Sequence, residues 1–421
     1  MTTLDDLRAA CEARAATPTD RVADVEPRFV AYPTSTDEVS RLLRAAAAHQ
    51  LHVVVRGGGT KLHWGGPPSA ADLILDTGKL TGVVEHAAGD LIAVIRAGTP
   101  LAEVQRVLAR SGQRLPLDEM LPGATLGGVV ATGAAGPLRL RHGTARDQVI
   151  GLTVVRADGV VAHSGGKVVK NVAGYDLGRL LAGSYGTLGV LTEIAVKLTP
   201  IPAARAFVRR PVRTPAEVRD LSVRLKQERL APVALEVECP APDGARRTAT
   251  RVPGHPDLMV LLLEGPADGV AARAAKAVEV LGGDARADAE PPDWWGSYPF
   301  GPDDLALQVV TPVGQLFGPV YSMRDAARGT GIRIFCSPAA GVLHAAVPGD
   351  VDPDRAVEIV NAARTVAMSH GGHCTVLAAP PKVRPEIDLW GPVEGIGLMR
   401  AVKHEFDPAG RLAPGRFVGG I

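Results

Sequence analysis

Aromatic residues are scarce in this chain, at 4% of 421 residues, so Leu, Val, Ile and Ala must fill most of the core. The four cysteines, Cys11, Cys239, Cys336 and Cys374, contain no CxxC pair. That spacing excludes an iron–sulfur cluster or a structural zinc held by this chain's thiolates alone, and it does not resemble a secreted disulfide framework. The longest apolar runs, such as residues 258–263, fall far short of the ~20 residues a membrane-spanning helix needs. Net charge is also missing: the formal value is +1, so no global field favours nucleic acid, a membrane surface or an acidic partner. The basic run through Arg205, Arg209, Arg210 and Arg213 reads as a solvated inter-domain face. The first residues carry acids and no apolar stretch, which predicts no secretory signal. The expectation is a cytoplasmic protein, at most peripheral to a membrane through a partner.

What is present is a globular composition, 46% hydrophobic and 22% charged, on a chain long enough for two domains. Residues 30–76 alternate strand, helix, strand and glycine loop. Ser35-Thr36-Asp37-Glu38 fits a capping box ahead of a helix with Val39, Leu42, Leu43 and Ala46 on one face. From residue 83 the pattern turns to strands around 91–95, 150–155, 160–162 and 190–198, with a helix over 101–108. A hairpin turn falls at Ala157-Asp158-Gly159. A boundary falls near Thr199-Pro200-Ile201-Pro202. Beyond it, helices over 215–227 and 270–281 and strands near 234–237 and 258–263 predict a separate α+β domain. The expected fold class is α+β, with domains at 1–200 (lobes of about 27–80 and 81–200), 201–380, and a final segment, 381–421.

Glycine, at 48 residues, concentrates between Gly57 and Gly189. The first cluster is a strand entering Arg56-Gly57-Gly58-Gly59-Thr60-Lys61. Consecutive glycines allow positive φ, so successive N–H groups converge into an anion nest, with Arg56 or Lys61 as countercharge. A tight surface turn is the alternative reading. The loop is neither a Walker P-loop, which ends in Gly-Lys-Ser/Thr, nor the GxGxxG fingerprint that opens a helix. The second cluster includes Pro122, Gly123, Thr125, Gly127, Gly128 and Gly133, followed by His142 and Gly143. The third runs Lys170-Asn171-Val172-Ala173-Gly174-Tyr175-Asp176 and on to Gly183-Ser184-Tyr185-Gly186-Thr187-Leu188-Gly189-Val190.

Three such motifs in this order resemble the FAD-binding domain of the vanillyl-alcohol oxidase and p-cresol methylhydroxylase superfamily, and most closely the FAD-binding subunit of glycolate oxidase (glycolate dehydrogenase). The resemblance covers about residues 27–200 and resumes at Gly371-Gly372-His373 and at Asp407-Pro408-Ala409-Gly410 to Pro414-Gly415-Arg416. It implies a two-lobed FAD-binding domain of the p-cresol methylhydroxylase type, a separate α+β cap domain, and a C-terminal segment returning to the FAD domain. Carried over by motif, the pyrophosphate loop falls on Gly57, Gly58, Gly59, Thr60 and Lys61. The flavin-facing stretch falls on Pro122, Gly123, Thr125, Gly127, Gly128 and Gly133, and the adenine and ribose side on Gly186, Gly189 and Val190. His142 and Gly143 fall where the family passes close to the cofactor.

The resemblance implies a flavin dehydrogenase of small 2-hydroxyacids, active in a complex with a larger FAD subunit and an iron–sulfur subunit that takes the electrons. Two other readings stand beside it: a flavin-binding accessory or relay subunit without turnover of its own, and a sugar or alditol oxidase. The chain departs from the pattern at Leu412-Ala413-Pro414-Gly415, where many members carry Asn. It also offers only His370-Gly371-Gly372-His373-Cys374 where the larger subunit type has a Glu-His-Gly segment. His373 is either a general base or a hydrogen-bonded histidine at a strand start. Lys170 is either a cation beside the flavin pyrimidine edge or a surface lysine. Asp176 reads as a helix cap. His63 lies at an odd offset from the first loop, so FAD is expected to be non-covalent. No third ligand accompanies His370 and His373, so no metal is expected.

Overall fold

A computed structural model describes residues 2–166, 176–240 and 257–421. They fall into two compact units, one within Met1–Gly136, His142–Ile201 and Val393–Ile421, the other within Pro137–Arg141 and Pro202–Pro392.

The first unit holds two main sheets. In one, strands Glu12–Ala15, Phe29–Tyr32, Leu73–Asp76 and Val53–Arg56 lie side by side in that order. The first pair is antiparallel and the others are parallel. A parallel arrangement needs a crossover, and helix Thr36–Ala48 supplies it. That helix buries Val39, Leu42, Leu43 and Ala46, and each buried leucine contributes about 1.5–3 kcal/mol. Ser35 caps it by accepting the Glu38 N–H at 3.2 Å. The reciprocal half of the box has moved one residue back: the Glu38 carboxylate accepts from the N–H and hydroxyl of Thr34.

The second sheet is antiparallel, ordered Val83–Ala87, Ile92–Arg96, Val190–Lys197, Val149–Val155 and Val161–Gly165. Helix Leu101–Ala109 lays Leu101, Val104 and Leu108 on its core. Asp176 caps helix Leu177–Leu181 by accepting the Arg179 N–H at 3.1 Å.

The C-terminal segment is stitched into this unit. Helix Ile396–Phe406 packs Val402 and Phe406 on the same core. The chain then pairs Leu412 with Val53 in a parallel bridge. Lys403, buried, donates to Thr187 O at 2.8 Å, Leu412 O at 2.9 Å and Asp407 Oδ2 at 2.7 Å.

The second unit is one antiparallel sheet in the order Arg286–Asp288, Ala204–Val212, Asp257–Gly265, Ala234–Cys239, Arg333–Ser337, Val342–Val347, Leu305–Val310 and His373–Ala378. Helices Pro215–Gln227, Ala267–Leu281, Phe317–Ala327 and Pro353–Ser369 share a core with alternate residues of these strands, such as Leu261, Ile334 and Leu343. The basic run is paired with acids of this same unit: Arg209 with Asp288 at 3.0 Å, Arg205 with Glu290 at 3.2 Å and Arg210 with Glu217 at 2.8 Å.

Candidate functional site

Strand Val53–Arg56 is anchored by the buried Val53 and Val54, and the first glycine loop leaves its C-terminal end. The sequence suggested a series of left-handed glycines, but within the loop only Gly59 has positive φ, at 72°. Gly57 and Gly58 serve close approach instead. A Cβ on Gly57 would lie 2.2 Å from Thr125 Oγ1, and one on Gly58 would lie 2.0 Å from Gly123 O. The first motif is thus pressed against the second, where Thr125 caps helix Leu126–Thr132 by accepting the Gly128 N–H at 3.2 Å. The third motif closes on the same helix, with the Tyr185 N–H donating to Ala131 O at 2.8 Å. Tyr185 holds φ 55°, a left-handed conformation that a tyrosine keeps only when its surroundings impose it.

Between the motifs lies a cleft of about 830 Å³, counting its open mouth. Gly57, Gly58, Gly59, Thr60 and Lys61 line one side. Thr125, Gly127 and Gly128 line another, and Gly186 and Gly189 reach it from the third motif. The remaining predicted residues lie elsewhere. Arg56 Nε donates to Asp76 at 2.7 Å and its Nη1 to Asp20 at 3.2 Å, so its charge is neutralised away from the loop. Asp20 is held well below the usual carboxylate range, chiefly by the Arg14 guanidinium. Gly123 stands behind Gly58, with its N–H on Glu119 at 2.9 Å. Pro122 precedes it outside the lining. Gly133 is the left-handed C-cap of helix Leu126–Thr132. The His142 carbonyl accepts from Gln148, and Gly143 sits beside the Asp147 carboxylate. Val190 is fully buried in its strand. His373 is exposed at the start of an edge strand of the second unit. Lys170 and Tyr175 lie outside the described residues.

The cleft also takes side chains that motif reading passed over: Val54, Val55, Ala97 and Leu191 as apolar wall, and Tyr185 and Arg416 as polar groups. Tyr185 and Arg416 belong to segments singled out as motifs, but their glycines drew the attention. Lys61 is 8% exposed, and its one hydrogen bond is to Thr60 Oγ1 at 3.3 Å. Burial pulls its pKa down to about 8. Arg416 is 4% exposed; its Nη2 donates to Leu62 O at 3.0 Å and Trp64 O at 2.8 Å, while Nη1 has no partner. Burial pulls its pKa down to about 10 and pushes that of neighbouring Tyr185 up to about 12. Neither cation has a carboxylate partner among the described residues. A buried unpaired ion costs several kcal/mol, so this arrangement suits a ligand with two negative charges and an apolar body.

The fold is that of the p-cresol methylhydroxylase-type FAD-binding proteins. A substrate-bound p-cresol methylhydroxylase superposes with a TM-score of 0.71 over 98% of this chain and 96% of that chain, at 16% identity. Residues 27–165 match the FAD binding domain family. An FAD-linked oxidoreductase of Mycobacterium tuberculosis is 29% identical over 418 residues, 93% of this chain and 90% of that protein. The glycolate oxidase subunit GlcE of Escherichia coli is 41% identical over 169 residues, 40% of this chain and 48% of that subunit. FAD is the cofactor of this chain.

Proposed function

We propose that this chain is an FAD-dependent oxidoreductase acting on the CH–OH group of a small 2-hydroxyacid of the glycolate type. In this reading it works as the FAD-binding subunit of a complex in which a larger FAD subunit and an iron–sulfur subunit carry the electrons onward. The observation that carries the cofactor assignment is the cleft with its two buried cations and no carboxylate among its described lining residues. Gly57, Gly58, Gly59, Thr60 and Lys61 would hold the pyrophosphate. Thr125, Gly127 and Gly128 would pass beside the flavin, and Gly186 and Gly189 would offer backbone to the ribose and adenine. The described lining contains no histidine or cysteine, which supports non-covalent binding. The 2-hydroxyacid assignment is supported by the similarity to GlcE across the FAD-binding half. The partner assignment is supported by the name of that same relative, which is one subunit of glycolate oxidase.

When bound, FAD supplies the acceptor for the two electrons leaving the CH–OH carbon. The chain's part is to hold the cofactor: the glycine loop removes Cβ atoms from the path of the phosphates, and the valine and leucine wall excludes water. His373, exposed on its strand, is free to exchange a proton with solvent.

The test is anaerobic reduction. The purified, FAD-loaded chain is mixed with glycolate or D-lactate, alone and with the larger subunit, and flavin bleaching is followed. Bleaching dependent on the larger subunit supports the subunit reading, and bleaching by the chain alone makes it an enzyme in its own right. No bleaching in either mixture with either acid overturns the 2-hydroxyacid assignment.

A further inference from the structure

The C-terminal segment does more than close the fold. Its chain lies along the stretch that follows the first glycine loop: the Gly66 N–H donates to Arg416 O at 3.0 Å, and the Ser69 N–H to Pro414 O at 2.8 Å. Cβ atoms on Gly65 and Gly66 would lie 2.7 Å from Arg416 O and 2.6 Å from Gly415 O, so the two segments are in direct backbone contact. This contact carries the Arg416 side chain inward. Its Nη2 is fixed by the Leu62 and Trp64 carbonyls, two groups on the stretch that follows Lys61. Its Nη1 is buried with no acceptor, on a residue that lines the cleft.

A guanidinium fixed at one nitrogen and unsatisfied at the other is a preorganised half of an anion site. Leaving such a group buried without a counter-ion is unfavourable, and none faces it among the described residues. Lys61 lines the same cleft in the same condition. Two cations and a dianion balance.

On the cofactor assignment made above, we propose that Arg416 is a cofactor-binding residue, and that the C-terminal strap completes the site by placing its Nη1 on the FAD pyrophosphate opposite Lys61. The glycine loop is then one half of the phosphate site and the strap the other. Tyr185, packed between Arg416 and Phe417 with ring centroids 5.6 Å apart, positions the strap rather than the phosphate.

The experiment measures binding, not turnover. Apo protein is prepared as wild type, Arg416→Gln, Arg416→Lys and Lys61→Met, and each is titrated with FAD, ADP and riboflavin by fluorescence and competition. Gln keeps a donor for the Leu62 and Trp64 carbonyls, so the strap stays docked, and circular dichroism of the apo forms checks this. Expected is a loss of at least tenfold in affinity for FAD and for ADP with Arg416→Gln, partial recovery with Arg416→Lys, and no change for riboflavin. Equal losses for riboflavin would assign Arg416 to the flavin ring and overturn the proposal, as would unchanged FAD and ADP affinity. If Arg416→Gln fails to fold, the FAD:riboflavin affinity ratio of Arg416→Lys decides, an unchanged ratio counting against. Failure of the cofactor assignment looks different: Lys61→Met would then also leave all three affinities untouched.

Discussion

Lys61 is a cation whose charge depends on what lies beside it. In the apo cleft burial lowers its pKa to about 8, below the ordinary lysine value of 10.5. Between those values the unfolded chain binds more protons than the folded one, so this group makes apo stability rise with pH from about 8 to 10.5. FAD binding runs the other way. The dianion needs the protonated lysine, so affinity should be flat below pH 8 and then fall by about tenfold per unit. Titrations of FAD at pH 7 to 10 should show this slope, and Lys61→Met should flatten it. A second residue-scale prediction separates neighbouring glycines. Gly58→Ala drives a Cβ to 2.0 Å from Gly123 O and should cost about 1–3 kcal/mol and most FAD retention. Gly59→Ala meets no protein atom within 4 Å and should cost the fold only the left-handed penalty, about 1–2 kcal/mol, so flavin lost beyond that reports a Cβ in the path of the phosphates. Flavin content after gel filtration reads both. The glycine run was visible in the sequence; the division of work among its members was not, because it depends on residues 123–125 arriving from far along the chain.

Helices and strands were legible where the cause is local. The predicted helix over 215–227 appears as Pro215–Gln227, with the Thr214 hydroxyl accepting the Glu217 N–H at 3.1 Å. Strand order was not legible, since placing Ala234–Cys239 beside Arg333–Ser337 depends on tertiary packing rather than on either segment's pattern. The docking of the last segment is of the same kind. It rests on the Lys403–Asp407 pair, in which Asp407 Oδ2 also accepts the Leu412 N–H at 2.7 Å. Asp407→Ala leaves a buried ammonium facing only two carbonyls and should destabilise by about 3–5 kcal/mol. Urea denaturation should show the loss, and limited proteolysis should release the C-terminal segment early. Because that segment carries Arg416, FAD affinity should fall in the same variant, whereas Asp407→Asn, which still accepts the Leu412 N–H, should lose less of both.

At the scale of the molecule, each unit has hydrophobic clusters of its own. The cleft and both of its cations belong wholly to the first unit. FAD should therefore stabilise that unit and leave the second unchanged. At a hundredfold excess over its dissociation constant, a ligand that binds only the folded state adds about 2.7 kcal/mol. For a unit of this size that corresponds to about 5–10 °C in Tm. Calorimetry of the apo chain should resolve two transitions, only one of them moving with added FAD, and Lys61→Met should shrink that movement at the same FAD concentration. A single transition that shifts as a whole would mean that the two units unfold together, and the cofactor would then stabilise the second unit through the first.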